Sequence, residues 1–403
     1  VTTVNGAPSG VLSSANVLIT LILGSVGLMV FGLQPLLFGS YVKEGVLTEQ
    51  VLGLLGAVEV TGIAIGSGIA IPLLRKSRTA WVGLAGIMLM AAANLFQPHA
   101  GDALLLFAAR AICGLGEGLT VGIASYAIAG AHRVASWTAA FQLIQAASQF
   151  VVIEGFAVLK LPTSSGTVQS TLALAAGACL LALPFLPRFS ATEAGEAGVQ
   201  ANSPSLPGYV GLVAMFLFVG GVVGIWGYTG LWLESRGLTA TQATGALAAS
   251  LAGQSIGAFI GMIIGDGRRA WVRLSALIII LLGIVGAWIA RPDLVALAFV
   301  FGLAWQLVTP ALASVLVELD PRRRALPFAA AAQLAGIAAL PTILGYAYGG
   351  GSLDMLIIAF AAPIALSLLL ILTQIRGLRR LAYARSAALA GTPHELGGEH
   401  RWG

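Results

Sequence analysis

From residue 16 onward the sequence alternates long apolar runs with short polar breaks. A membrane-spanning helix needs about 20 mainly apolar residues. Twelve runs qualify, at 16–39, 49–73, 79–97, 103–130, 135–159, 168–187, 209–233, 240–265, 270–290, 294–318, 325–348 and 354–375. Most breaks are a few residues long. The exception runs from Pro187 to Gly208 and carries Thr192-Glu-Ala-Gly-Glu196 and Asn202-Ser-Pro-Ser-Leu-Pro207, a polar, Pro/Gly/Ser-rich linker. The pattern predicts an all-α membrane protein of twelve transmembrane helices: a disordered lead-in at 1–15, a six-helix bundle at 16–187, a cytoplasmic linker at 188–208, a second bundle at 209–375 and a cytoplasmic tail at 376–403.

The two halves repeat. Arg78-Thr-Ala-Trp-Val82 recurs as Arg268-Arg-Ala-Trp-Val272, a shift of 190 residues, and Arg133 through Leu143 recurs as Arg324 through Leu334, a shift of 191. Both matches fall at equivalent helix ends, as expected of parallel six-helix repeats.

Charge sets the orientation. With both termini cytoplasmic, sixteen Lys and Arg residues fall in inner loops and the tail, and four (Lys43, Lys160, Arg236, Arg291) fall in outer loops, which satisfies the positive-inside rule. The net charge of +5 is therefore loop charge, and a nucleic-acid partner is not expected. Only 9% of residues are charged, against about 25% in soluble domains. No Lys/Arg-rich head precedes a cleavage site, so no signal peptide is expected. Cys113 and Cys179 lie in apolar runs without metal-ligand spacing and read as inert buried thiols. No nucleotide-binding loop, metal pattern or hydrolase triad is visible, so neither an enzyme nor a cofactor or metal site is expected.

The fourth predicted helix carries Arg110-Ala-Ile-Cys-Gly-Leu-Gly-Glu-Gly118, two opposite charges inside an apolar run. A charge at the centre of a membrane helix costs about 2.5–3.5 kcal/mol on insertion scales and usually faces a protein interior. Seven residues apart, Arg110 and Glu117 share one helix face, close to Gly114 and Gly118, where another helix can approach. Glu59 on the second helix and Glu154 on the fifth are the other acids of the first half. Depth at about 1.5 Å per residue matches Arg110 with Glu59 or Glu154 as an ion pair and leaves Glu117 unpaired. Glu117, the deepest of these charges, is the first candidate for proton coupling, with Glu59 and Glu154 behind it.

Twelve helices, a central loop and this repeat resemble the major facilitator superfamily. Gly68-Ile-Ala-Ile-Pro72-Leu-Leu-Arg75-Lys76-Ser-Arg78 keeps the glycine and basic cluster of that family's loop motif but has Pro72 in place of an Asp; Gly265-Asp266-Gly-Arg268-Arg269 keeps the acid in the second half. Arg-x-x-x-Gly-x-Gly-Glu on the fourth helix looks like the organic anion:cation symporters and the spinster-like transporters. That resemblance implies proton coupling at Glu117. The anion symporters often add a basic residue on the first helix, where this chain has Gln34.

Thr138, Gln142, Gln145 and Gln149 form a polar stripe on the fifth helix. Such a stripe faces either a cavity or a neighbouring helix. Gln333 is the repeat equivalent of Gln142. The second half contributes Trp226, Tyr228, Trp305 and Gln306, with Trp226 and Trp305 deep enough to stack on a solute; Trp232, Tyr346 and Tyr348 read as an interfacial belt. These residues predict a midplane site with an acidic, Gln-lined N-terminal wall and an aromatic C-terminal wall. The expected function is proton-coupled secondary transport of a small organic solute across an inner membrane by a monomer in the lipid bilayer, with proton-driven multidrug efflux as the alternative and a non-transporting receptor on the same fold as a third reading.

Overall fold

The structure is a computed structural model that describes residues 14–76, 78–129, 134–187, 203–264 and 270–390. The Gly265–Arg269 motif and residues 188–202 of the linker lie outside the described residues, as does most of the lead-in. Among the described residues there is no strand, and twelve helices are long and apolar enough to cross a membrane: Ala15–Lys43, Glu49–Leu74, Thr79–His99, Ala103–Ile128, Ser136–Val158, Ser165–Phe185, Leu206–Ser235, Ala240–Ile263, Ala270–Ala290, Val295–Leu319, Ala329–Tyr348 and Leu353–Ile375. They are the first to twelfth spans below. The chain is thus a multi-pass membrane protein of two six-helix repeats.

Local chemistry explains where hydropathy misplaced helix ends. The sixth span begins at Ser165 because the Ser164 hydroxyl caps it, accepting from the Thr167 amide. The seventh begins at Leu206, capped by Ser205 with Pro207 in its first turn. The helix of the twelfth span continues to Ala390.

The second and fourth spans pack backbone to backbone. A Cβ added at Gly114 would meet the Glu59 carbonyl at 2.2 Å, and one at Gly118 the Ile63 carbonyl at 2.3 Å. In the second half a Cβ at Gly253 would meet the Phe299 carbonyl of the tenth span at 2.0 Å, so the eighth and tenth spans repeat the arrangement. Small residues allow such approach where no hydrophobic force drives helices together in lipid. Between the bundles, the second span packs on the eleventh, the fifth on the eighth and the first on the seventh.

The first span is broken. Helices Ser14–Gly27 and Met29–Lys43 meet at Leu28, and Pro35 lacks the N–H that would bond the Phe31 carbonyl. The Phe31 carbonyl finds a side-chain donor in Trp226 Nε1 at 2.6 Å, and at the break the Leu28 carbonyl, which already accepts from the Phe31 amide at 3.2 Å, accepts a second bond from Gln149 Nε2 at 2.8 Å. In a bilayer, interrupted backbone needs such substitutes.

Candidate functional site

Three features are built on this frame. The first is a cavity of about 730 Å³ between the bundles. Gln142, Gln145 and Gln149 line it from the fifth span, with Thr138, Ser67 and Ser125 nearby; Trp226, Gln254, Trp305, Gln306, Thr309 and Gln333 line it from the second half. The stripe on the fifth span therefore faces space. Ile128, Thr138 and Leu326 also line it and lie at the helix ends on the side where the first span begins. The cavity reaches that side.

The second feature is closure at the opposite side. Lys43 Nζ lies 2.6 Å from Glu234 Oε1, and Arg236 lies 2.9 Å from Asp354. Lys43 and Glu234 are 191 residues apart, the repeat shift, so equivalent positions meet across the pseudo-two-fold axis. The Tyr228 hydroxyl donates to Glu49 O at 3.0 Å, and a Cβ on Gly53 would fall 2.2 Å from the Pro341 carbonyl. Half-exposed ion pairs contribute only about 0–1 kcal/mol. The buried contacts hold this side shut, and the salt bridges add little.

The third feature is a polar cluster inside the N-terminal bundle. Arg110 Nη1 lies 3.1 Å from Glu59 Oε1, with both side chains almost wholly buried. It also approaches Asn94 Oδ1 at 3.5 Å, while Asn94 Nδ2 donates to Cys113 Sγ at 3.2 Å and Cys113 Sγ reaches Glu117 Oε1 at 3.5 Å. Glu59, Cys113 and Glu117 bring ligand atoms within 4.8 Å of one another; Arg110 already supplies the positive charge that a cation would bring. Tyr41, Gln97 and Gln169 form a neighbouring buried set: Tyr41 donates to Gln97 at 3.2 Å, Gln169 donates to Gln97 at 3.2 Å, and Gln169 also bonds the Tyr41 hydroxyl.

Several expected placements change. Glu154 is exposed and has no part in the cluster; the fifth span turns its glutamine face to the cavity, and Glu154 lies on another face near the opposite end. Glu59 and Glu117 are not on the cavity wall, because the glycine contact between the second and fourth spans turns them into the bundle. Gln34 is buried away from the cavity, between Gly56 and Gly227, and Tyr228 belongs to the closed side. Trp226 does line the cavity, but its N–H is committed to Phe31, so only its ring is available. Trp232 is buried and donates to Asp354 Oδ1 at 2.7 Å, which removes it from the interfacial belt. Asn94, Cys113, Gln97 and Gln254 were missed as site residues. A polar residue within an apolar run was the available signal for Asn94 and Gln254.

These features define a twelve-helix membrane protein with the major facilitator fold. The sequence matches no family model and none of the curated proteins. Solved structures match in shape: a mutant of the nucleoside transporter NupG, at TM-score 0.70 and 12% identity over 89% of this chain and 99% of that chain; the D-xylose-proton symporter, at 0.66 and 15% over 89% and 95%; and the human organic anion transporter MFSD10, at 0.60 and 15% over 88% and 97%.

Proposed function

We propose that this chain is a proton-coupled secondary transporter that moves a small organic solute across an inner membrane by alternating access, as a monomer. The observation that carries the proposal is the cavity between the bundles, reaching one side and shut at the other by contacts between equivalent helices. A site accessible from one side at a time, at the interface of two repeats, is what rocking of one bundle against the other requires. The fold likeness to proteins described as nucleoside and xylose-proton transporters supports the same reading.

The coupling group is the buried carboxyl pair. Two acids and one arginine are electroneutral when the acids share one proton, since like charges so close in low dielectric do not both ionise. Loss of that proton leaves a net buried negative charge, and opening the bundle to water relieves the cost. Glu117 carries the exchangeable proton and Glu59 stays paired to Arg110. The cluster reaches the cavity through the backbone: a Cβ at Gly27, beside the break in the first span, would lie 2.9 Å from Glu117 O, and Ser67, a cavity residue, bonds Gly118 O at 3.1 Å.

The test is purified protein in liposomes loaded with a pH-sensitive dye. Addition of a solute that raises the melting temperature should move protons in the wild type. Binding solutes that never cross would sink the transport reading; solutes that cross without protons would sink the coupling alone.

A further inference from the structure

The lining of the cavity specifies a substrate class, an inference that rests on the transport reading above for its site. Six glutamines face the space: Gln142, Gln145, Gln149, Gln254, Gln306 and Gln333. Among the described residues no ionisable side chain lines it. Glu59 and Glu117 are turned away into the N-terminal bundle, where Glu59 pairs with Arg110. A charged solute entering here would shed hydration without meeting a counter-charge, which is strongly unfavourable in a low-dielectric site.

A primary amide offers two N–H donors and a carbonyl acceptor, and each hydroxyl of a solute both donates and accepts. The two inventories fit. Gln254 is more than nine-tenths buried, lines the cavity and has no partner for its Nε2 donor; a buried donor without an acceptor costs free energy that a bound hydroxyl would recover. The hydroxyls are less available, since Ser67 donates to Gly118 O and Thr309 to Trp305 O. Trp226 and Trp305, with ring centroids 6.2 Å apart, present aromatic surface to the same space, and the Trp226 N–H is already used. Recognition by amides and ring faces, without charge, suits a flat or half-apolar ring bearing hydroxyls. The volume lies within the range of about 300–1,000 Å³ typical of small-molecule sites.

We propose that the cavity binds an uncharged, hydroxyl-rich ring solute, of the monosaccharide or nucleoside kind, and discriminates against acids and amines of the same size. Thermal-shift and calorimetric titration of the purified full chain tests it, with four probe sets: neutral monosaccharides, neutral nucleosides, their carboxylate counterparts and their amino counterparts. At least one neutral set should raise the melting temperature, and its charged counterparts should bind at least about tenfold more weakly. Gln254→Leu and Gln333→Leu should weaken the neutral ligand by about three- to tenfold, the effect of one lost hydrogen bond, with unliganded melting unchanged. Binding of an acid or amine as tight as its neutral parent overturns the proposal, as does failure of every neutral probe. Counterflow in liposomes separates the two claims: a charged solute that binds and crosses refutes the substrate class and leaves transport standing. A neutral solute that binds without crossing does the reverse.

Discussion

The two halves share a skeleton and differ in what fills it. Tyr41, Gln97 and Arg110 in the N-terminal bundle correspond, at the repeat shift, to Trp232, Trp288 and Phe301 in the C-terminal one. The first set carries the hydrogen-bonded polar network beside Glu59 and Glu117. The second is an aromatic cluster, with ring centroids 5.3 Å apart for Trp232 and Trp288, which meet edge to face, and 5.5 Å for Trp288 and Phe301. Glu59 itself corresponds to Ser250, while Gly62 and Gly253 keep the same close approach in both bundles. Backbone packing is therefore under one constraint in both halves, and side-chain chemistry is not. An aromatic core stabilises by burial and packing, whereas a buried ion cluster stabilises only while every charge is matched. Under the proposed coupling, the half that can change its charge is the half that responds to a proton, and the other supplies an apolar wall.

The largest expected effect comes from unbalancing the polar half. Arg110→Ala leaves Glu59 buried without its partner and should cost about 3–5 kcal/mol, read as a lower melting temperature in detergent. The double replacement Arg110→Met with Glu59→Met, which makes this core resemble the apolar one, should recover most of that loss. A single variant that melts like the wild type would show that the pair does not carry the bundle.

Next come the shared contacts. Gly62→Ala and Gly253→Ala each force a methyl against a carbonyl on the facing helix, that of Ala111 and that of Phe299, and should each cost about 1–3 kcal/mol. Similar losses in the two variants sharpen the claim of a common skeleton; a loss in one half alone breaks it.

Glu117→Gln should change stability by less, under about 1 kcal/mol, because the amide replaces a carboxyl of the same shape that is neutral when protonated. Its expected effect is functional: accumulation driven by an imposed pH difference is abolished while solute exchange persists. Continued proton movement in the variant would transfer the role to Glu59.

The smallest effect is at the closed side. Lys43→Met removes a half-exposed ion pair and should lower stability by no more than about 1 kcal/mol, an effect that high salt reproduces in the wild type. Spin labels on the C-terminal ends of the first and seventh spans should show a modestly larger open population. An unchanged distance distribution would assign closure entirely to contacts such as Tyr228 with Glu49.

Much of this was legible along the chain, for identifiable reasons. Desolvating a charge is so costly that Arg110 had to be internal and matched, and the face shared with Gly114 located a helix contact. The glutamine spacing on the fifth span defined a polar face, though periodicity could not tell a cavity from a neighbouring helix. Glu154 went wrong because depth in the bilayer says nothing about rotation about the helix axis. Trp232 went wrong because a Trp near a predicted helix end reads as interfacial until its partner, Asp354, some 122 residues away, is brought beside it.

By itself the sequence determined the twelve apolar helices, their division into two repeats and the presence of a charged interior in the first half, because hydrocarbon imposes length, hydrophobicity and charge pairing on each helix separately. The tertiary structure alone decided that Arg110 pairs with Glu59, that Glu59 and Glu117 turn away from the cavity while the glutamines face it, and that Gln149 and Trp226 bond the Leu28 and Phe31 carbonyls of the broken first span. Those outcomes depend on the relative rotation and crossing of helices, set by glycine contacts and by polar groups, such as the Phe31 carbonyl freed by Pro35, that find their partners only when distant segments meet.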